Sequence, residues 1–191
     1  MMLSRRRLVS LVIIGVLAGG GGSIVGLQNA AGKVSHTGKT VHSSVAADGV
    51  RQSGTVVRVV DGDTAVVRIG GRNMRVRFLG VDTPESVKRG HPVECFAREA
   101  SAFTKHNLEG RRVIVESDLS QDTYDRYGRL VGYVWVRNVL FNERIIREGY
   151  GFEYTYKGVP YRYQREFKEA EQDARIHSRG LWSTSTCAGQ R

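Results

Sequence analysis

From Thr55 to Val81 the chain repeats one grammar: a run rich in β-branched and apolar residues, closed by residues that favour a turn. Thr55-Val56-Val57-Arg58-Val59-Val60 reads as a first strand, and Asp61-Gly62-Asp63 as the turn that ends it. Thr64 to Ile69 reads as a second strand. Gly70-Gly71 then offers two adjacent residues that tolerate positive φ, which a two-residue hairpin turn needs for its twist to match its strands. Met74 to Val81 continues as a third strand, with Met74, Val76 and Phe78 alternating against Arg75, Arg77 and Leu79. The chain must therefore begin its fold as a β-meander.

The periodicity then changes. Asp82 to Val93 is a polar loop holding two of the three prolines, after which Phe96, Ala100, Phe103 and Asn107-Leu108 fall at helical spacing. Gly110 suits the position just past that helix. Arg112 to Ser117 reads as a fourth strand and Arg129 to Arg137 as a fifth, joined by a polar loop that ends in Asp125-Arg126-Tyr127-Gly128. Asn142 to Glu148 is a short helix stopped by Gly149. Tyr163, Phe167, Ala170 and Ala174 form one stripe of a longer helix ending near Gly180. The order βββαββαα predicts an α+β fold: a five-stranded OB-type β-barrel with three helices. Barrels of this type commonly bind nucleic acids or sugars.

Residues 1–32 are of another composition. Arg5-Arg6-Arg7 precedes the apolar run Leu8 to Ala18 and the glycines 19–22, and no further charge appears until Lys33. A basic stretch followed by an apolar one reads as an export signal, and Ser4 to Leu8 loosely resembles a twin-arginine signal. Uncleaved, residues 8–32 are long enough to act as a membrane anchor. Either outcome places the protein outside the cytoplasm, whether secreted, periplasmic or anchored facing outward. Residues 33–52 read as a flexible linker, 53–183 as the folded domain and 184–191 as a C-terminal tail.

The formal net charge is +10, and the first 32 residues contribute three arginines and no acid, so the domain is basic in its own right. Such a surface attracts polyanions, either nucleic acid or anionic membrane. The two cysteines, Cys95 and Cys187, lack a second Cys or a His at ligand spacing, which argues against a metal site. Export favours a disulfide between them; the other reading is two unrelated buried thiols.

Three short stretches carry acids and arginines suited to phosphodiester chemistry: Asp61-Gly62-Asp63-Thr64, Arg75 to Glu85, and Asp125-Arg126-Tyr127-Gly128-Arg129. Hydrolysing a phosphate diester brings a nucleophile against an anion that repels it. Guanidinium groups or a hard cation must neutralise the phosphate, and a carboxylate must orient or deprotonate water. Each stretch alone passes for an ordinary turn or charged loop. Their joint occurrence in this order is what carries information.

With these motifs the chain resembles the staphylococcal nuclease-like (thermonuclease) domain over about residues 53 to 183. Further points of likeness are Tyr154-Thr155-Tyr156 and Gly180-Leu181-Trp182. The resemblance implies a Ca²⁺-dependent endonuclease that hydrolyses DNA and RNA by water attack at phosphorus and leaves 3′-phosphate ends. Asp63 and Asp82, with the main-chain carbonyl of Thr83, would hold one Ca²⁺, a cation that takes several hard oxygens. Glu85 would orient the attacking water or accept its proton. Arg77 and Arg129 would grip the phosphate in the transition state. Arg126, Tyr127, Tyr154 and Tyr156 would bind the nucleotide, with single-stranded or frayed substrate preferred. Asp61 looks like a neighbour of the metal site rather than a ligand. Ala97 departs from the family, which often has glycine there, and the two cysteines are absent from the best-known secreted member. A monomer is expected, and no protein partner is implied. Competing readings are a non-catalytic OB-fold nucleic-acid-binding module, and an adhesion protein for membranes or polyanions, which leaves the paired acids unexplained.

Overall fold

The computed structural model describes residues 49–86, 90 and 92–190. The expected signal or anchor, and the linker up to residue 48, lie outside the described residues. β1 (Arg51–Asp61), β2 (Thr64–Ile69) and β3 (Arg72–Phe78) form the meander, followed by a short β4 (Val81–Asp82) and α1 (Ala97–Leu108). β5 (Arg112–Glu116), β6 (Leu130–Val136), β7 (Val139–Leu140), α2 (Phe141–Arg147), β8 (Phe152–Glu153) and α3 (Gln164–Ile176) complete the elements.

The strands lie in the order β3-β2-β1-β5-β6, antiparallel throughout, and a parallel pairing of β3 with β6 closes the ring. The result is a closed five-strand mixed barrel with three helices, an OB-type α+β fold. Inward residues of alternating strands fill it: Val56, Val67, Val76, Phe78, Val115, Leu130 and Val134 are all almost fully buried. Phe141, Ile145, Ile146, Phe167 and Ala170 bring the apolar faces of α2 and α3 into the same core. Gly70 and Gly71 sit at φ 55° and 81°, as the hairpin turn requires. Two register shifts in β1, between Val56 and Arg58 and between Val59 and Asp61, bulge the strand and leave Val57 partly in solvent.

The third strand is shorter than its sequence suggests. Gly80 adopts φ 75°, and a Cβ there would lie 2.7 Å from the Tyr161 ring and 2.8 Å from Phe167. The chain turns at this glycine, so Val81–Asp82 leaves the barrel and pairs antiparallel with Phe152–Glu153. That ribbon delivers the segment bearing Tyr154 to the barrel seam, where Tyr154 N–H donates to the Gly80 carbonyl (3.1 Å).

Asn142, wholly buried at the start of α2, locks the seam from behind. Its side chain accepts from Val134 N–H (2.8 Å) and donates to the carbonyls of Leu79 (2.8 Å) and Gly132 (3.3 Å). Cys95 and Cys187 form a disulfide with Cα atoms 5.9 Å apart, across a sequence separation of 92. The segment around Cys187 folds back on itself: Ala188 N–H donates to Ser183 O, and Gly189 N–H to Leu181 O. β1 starts at Arg51, so the last two residues read as linker belong to a strand. No helix among the described residues is long and apolar enough to cross a membrane.

Candidate active site

The β1–β2 turn and the β3–β4 turn meet at one point, and Arg77 occupies it. Asp63 is buried there; its Oδ1 accepts from the Thr64 hydroxyl (2.9 Å), and its Oδ2 from Thr83 N–H (3.0 Å) and the Thr83 hydroxyl (3.2 Å). Arg77 Nη1 lies 3.1 Å from the same Oδ2, and Nη2 lies 3.0 Å from Asp82 Oδ1. Nη1 also donates to the carbonyls of Val81 (2.6 Å) and Phe78 (3.1 Å). One guanidinium thus sits between two carboxylates, leaving the group one negative charge in excess.

Arg129 stands across from it on the loop before β6. Its Nε donates to Asp125 Oδ2 (2.6 Å), while Asp125 Oδ1 accepts the main-chain N–H of Tyr127 (2.9 Å) and of Arg129 itself (3.0 Å). Burial pushes the Asp125 carboxyl up, but these donors and the Arg129 charge outweigh it and hold the group below the usual carboxylate range. The acid therefore stays ionised and fixes Arg129 in orientation. Both Arg126 and Arg129 lie over the Tyr127 ring, at 4.8 and 5.2 Å from its centroid.

Between these walls lies a cleft of about 630 Å³ that gathers Arg77, Asp82, Arg126, Tyr127, Arg129, Tyr154 and Tyr156. The rings of Tyr154 and Tyr156 are 6.3 Å apart and nearly half exposed, so they can accept a base between or against them. Asp63 and Thr83 lie behind Arg77, outside the lining. Glu85 also stands outside it. Its main chain is paired with Glu94, through Glu85 N–H to Glu94 Oε2 (2.9 Å) and Glu94 N–H to Glu85 O (3.0 Å), and its carboxyl meets Asp61.

Asp61 is a structural hub. Its Oδ1 accepts from Gly62 N–H (2.8 Å), Ser86 (2.7 Å) and Ser101 (2.9 Å), tying the end of β1 to the loop and to α1. Burial raises its carboxyl above the usual range against the pull of Ser86 and Gly62, and the Glu85 carboxyl beside it adds to the rise.

The cleft also holds residues to which the sequence assigned no role: Gln121, Asp122, Tyr124 and Lys157. Lys157 follows Tyr156 directly and sets its Nζ 5.2 Å from that ring. A cation next to an aromatic pair was the available signal. Asp125 lay inside a quoted motif, but its hold on Arg129 depends on a loop conformation that spacing does not reveal.

As a metal site the region offers hard oxygens, foremost the carboxylates of Asp63 and Asp82 that share Arg77. No group of three or more His, Cys, Asp or Glu side chains that could hold a metal ion occurs among the described residues. The excess negative charge and all-oxygen donor set fit a hard divalent cation that keeps water in its shell.

The chain matches the family model described as staphylococcal nuclease homologue over residues 75–184. It is 39% identical to the thermonuclease of Staphylococcus hyicus over 132 residues, spanning 69% of this chain and 76% of the relative. The thermonuclease of Staphylococcus intermedius is 37% identical over 131 residues, with the same shares covered. An SPbeta prophage-derived endonuclease of Bacillus subtilis is 35% identical over 130 residues, 68% of this chain and 43% of that protein.

Proposed function

Because the chain belongs to the staphylococcal nuclease homologue family, we propose that it is an exported, Ca²⁺-dependent endonuclease acting on DNA and RNA. The observation that carries this reading is the facing pair Arg77 and Arg129, each held by carboxylates on the walls of one cleft with tyrosines at its mouth. The disulfide and the basic-then-apolar N-terminus support a location outside the cytoplasm.

In the reaction, water attacks phosphorus; the new P–O bond forms as the bond to the 5′ oxygen breaks, leaving a 3′-phosphate and a 5′-hydroxyl. Negative charge grows on the equatorial phosphate oxygens, where two planar guanidinium groups stabilise it more than they stabilise the ground state. Holding each arginine with carboxylates removes the cost of orienting it during the reaction. Glu85, whose main chain is fixed by Glu94, would orient the attacking water or accept its proton once its carboxyl leaves Asp61 and turns into the cleft. Tyr154, Tyr156, Arg126 and Tyr127 hold the nucleotide, by stacking and by contact with phosphate. Stacking favours single-stranded or frayed substrate, and nothing in this role requires a second copy of the chain. Asp63, Asp82 and the Thr83 carbonyl would hold Ca²⁺, which supplies Lewis-acid neutralisation of the phosphate.

Purified protein is incubated with denatured DNA, RNA and duplex DNA, with Ca²⁺ or with excess EGTA. The expected result is cleavage of single strands with Ca²⁺, none with chelator, and 3′-phosphate ends on the products. Undiminished cleavage in EGTA would overturn the metal assignment. Tight binding without cleavage under any condition would make the protein a binding module instead.

A further inference from the structure

The proposed mechanism uses the arginines in the cleft and leaves another group unexplained. On β2, Ala65, Val67 and Ile69 face the barrel interior, so Thr64, Val66 and Arg68 take the opposite face, where Thr64 and Val66 are still buried and Arg68 is exposed. Register places Arg75 of β3 opposite Val66, and Arg58 of β1 opposite Val66 from the other side. Arg68 pairs with Asn73 and Thr55 on the same outer face. At the barrel seam Val76 is the parallel partner of Leu130, so the residues just before them, Arg75 and Arg129, come to stand at neighbouring positions. The outer face therefore carries a row, Arg129–Arg75–Val66–Arg58, running across β6, β3, β2 and β1. Arg68 lies one outward step further along β2, roughly 7 Å away at strand geometry.

These side chains stand apart from the ion-paired arginines of the surface. Their placement in one row sets them off from Arg72, Arg112 and Arg137, which are also exposed without an ion pair to a described carboxylate. On the helices several arginines come with acids, Arg147 with Glu143, Arg165 with Glu166 and Arg175 with Glu171, though Arg98 on α1 is exposed with no ion pair to a described carboxylate. Arg58, Arg68 and Arg75 are exposed, and no ion pair to a described carboxylate forms at any of them. Arg68 Nε donates a side-chain hydrogen bond to Asn73 Oδ1 (3.3 Å). Bare cations on a rigid sheet repel one another and gain nothing from folding. They suit a polyanion that lies along them.

We propose that this row is a second nucleic-acid contact surface, which holds the flanking part of a single strand whose scissile phosphate sits in the cleft. The occupant follows from position: the row begins beside Arg129 and leads away from the cleft, so a strand leaving that residue meets Arg75 first and then Arg58 and Arg68. The contacts are to phosphate, one charge per nucleotide, and carry no base preference. The inference rests on the nuclease reading for the identity of its ligand, and its test separates the two.

A variant carrying R58Q, R68Q and R75Q together is compared with wild type, with circular dichroism confirming equal folding. Binding of a fluorescent DNA oligonucleotide much longer than the cleft is measured in EDTA across a salt series. Cleavage of a trinucleotide and of the long strand is measured with Ca²⁺. Each phosphate contact to single-stranded DNA adds about 0.7 to the slope of log affinity against log salt, so losing three should flatten it by about 2. Low-salt affinity for the long strand should fall with it, while trinucleotide cleavage stays within about twofold of wild type. The triple lysine variant should restore the slope, since phosphate contact needs charge more than a planar fork. An unchanged slope would overturn the proposal, as would a variant that loses affinity for anionic lipid vesicles but not for DNA. If wild type cuts neither substrate while the slope still flattens, the nuclease reading fails and this surface stands.

Discussion

At the scale of single residues, the contact between Arg129 and Asp125 runs through Nε, a nitrogen for which lysine has no counterpart. Arg129→Lys therefore keeps the charge and loses both the anchor and the planar fork. If the guanidinium is matched to the transition state, kcat on single-stranded DNA should fall about 10²- to 10³-fold, with KM changing much less. Steady-state kinetics on the folded variant check this; wild-type turnover would remove Arg129 from the chemistry. Residue type and order pointed to Arg77 and Arg129, because a phosphodiester demands guanidinium groups near acids. What the residue string could not convey is that Arg77 spends its donors on Asp63, Asp82 and two main-chain carbonyls, or that Glu85 turns toward Asp61. Those are outcomes of loop geometry.

At the scale of elements, local pattern carried far. The second strand, the glycine turn and the positions of all three helices follow from periodicity and punctuation that tertiary structure does not oppose. The break at Gly80 and the β4–β8 ribbon were not legible, since their partners lie far apart in the chain and each is only two residues long. Asn142 reads locally as a helix start, yet it bridges α2 to both seam strands. Asn142→Ala should strand Val134 N–H and Leu79 C=O in the core and cost about 2–4 kcal/mol, measurable by urea denaturation. The bridge between the start of α1 and the segment after α3 acts at the same scale. For a separation of 92 residues, chain entropy allows about 4–5 kcal/mol, with less realised in practice. Cys95→Ser with Cys187→Ser should lower Tm, while the native wild type shows no titratable thiol.

At the scale of the whole molecule, acids hold segments that the barrel alone would leave loose. Asp118, beyond the end of β5, accepts from the Tyr133 hydroxyl (2.6 Å), Arg162 N–H (2.8 Å) and Ser120. Burial pushes its carboxyl up, but Arg162 N–H, Tyr133 and Ser120 together bring it below the ordinary 3.8. A depressed folded value means that the stabilisation is present above the unfolded value and lost as pH falls through the folded one. Asp118→Asn should therefore be less stable than wild type at neutral pH, with the gap closing as pH drops below about 3.8. Denaturation curves across that window test the sign. The overall basic charge was plain in composition, but the alignment of Arg58 and Arg75 on one face across β1, β2 and β3 needed the register of the strands.

The barrel is closed by three parallel residue pairs, Val76–Leu130, Arg77–Val131 and Phe78–Gly132, with one further bond from Leu79 N–H to Gly132 O. In residue pairs this join is as short as that of β5 with β6, and the cleft sits across it. A strand gripped by Arg77 on one side and Arg129 on the other would span the join as a suture spans a cut. Occupancy should then slow the opening of the barrel itself. Amide hydrogen exchange at Leu79, whose N–H donates to Gly132 O across the join, should become slower when an uncleavable nucleotide is added, while exchange at the β1–β2 hairpin barely changes.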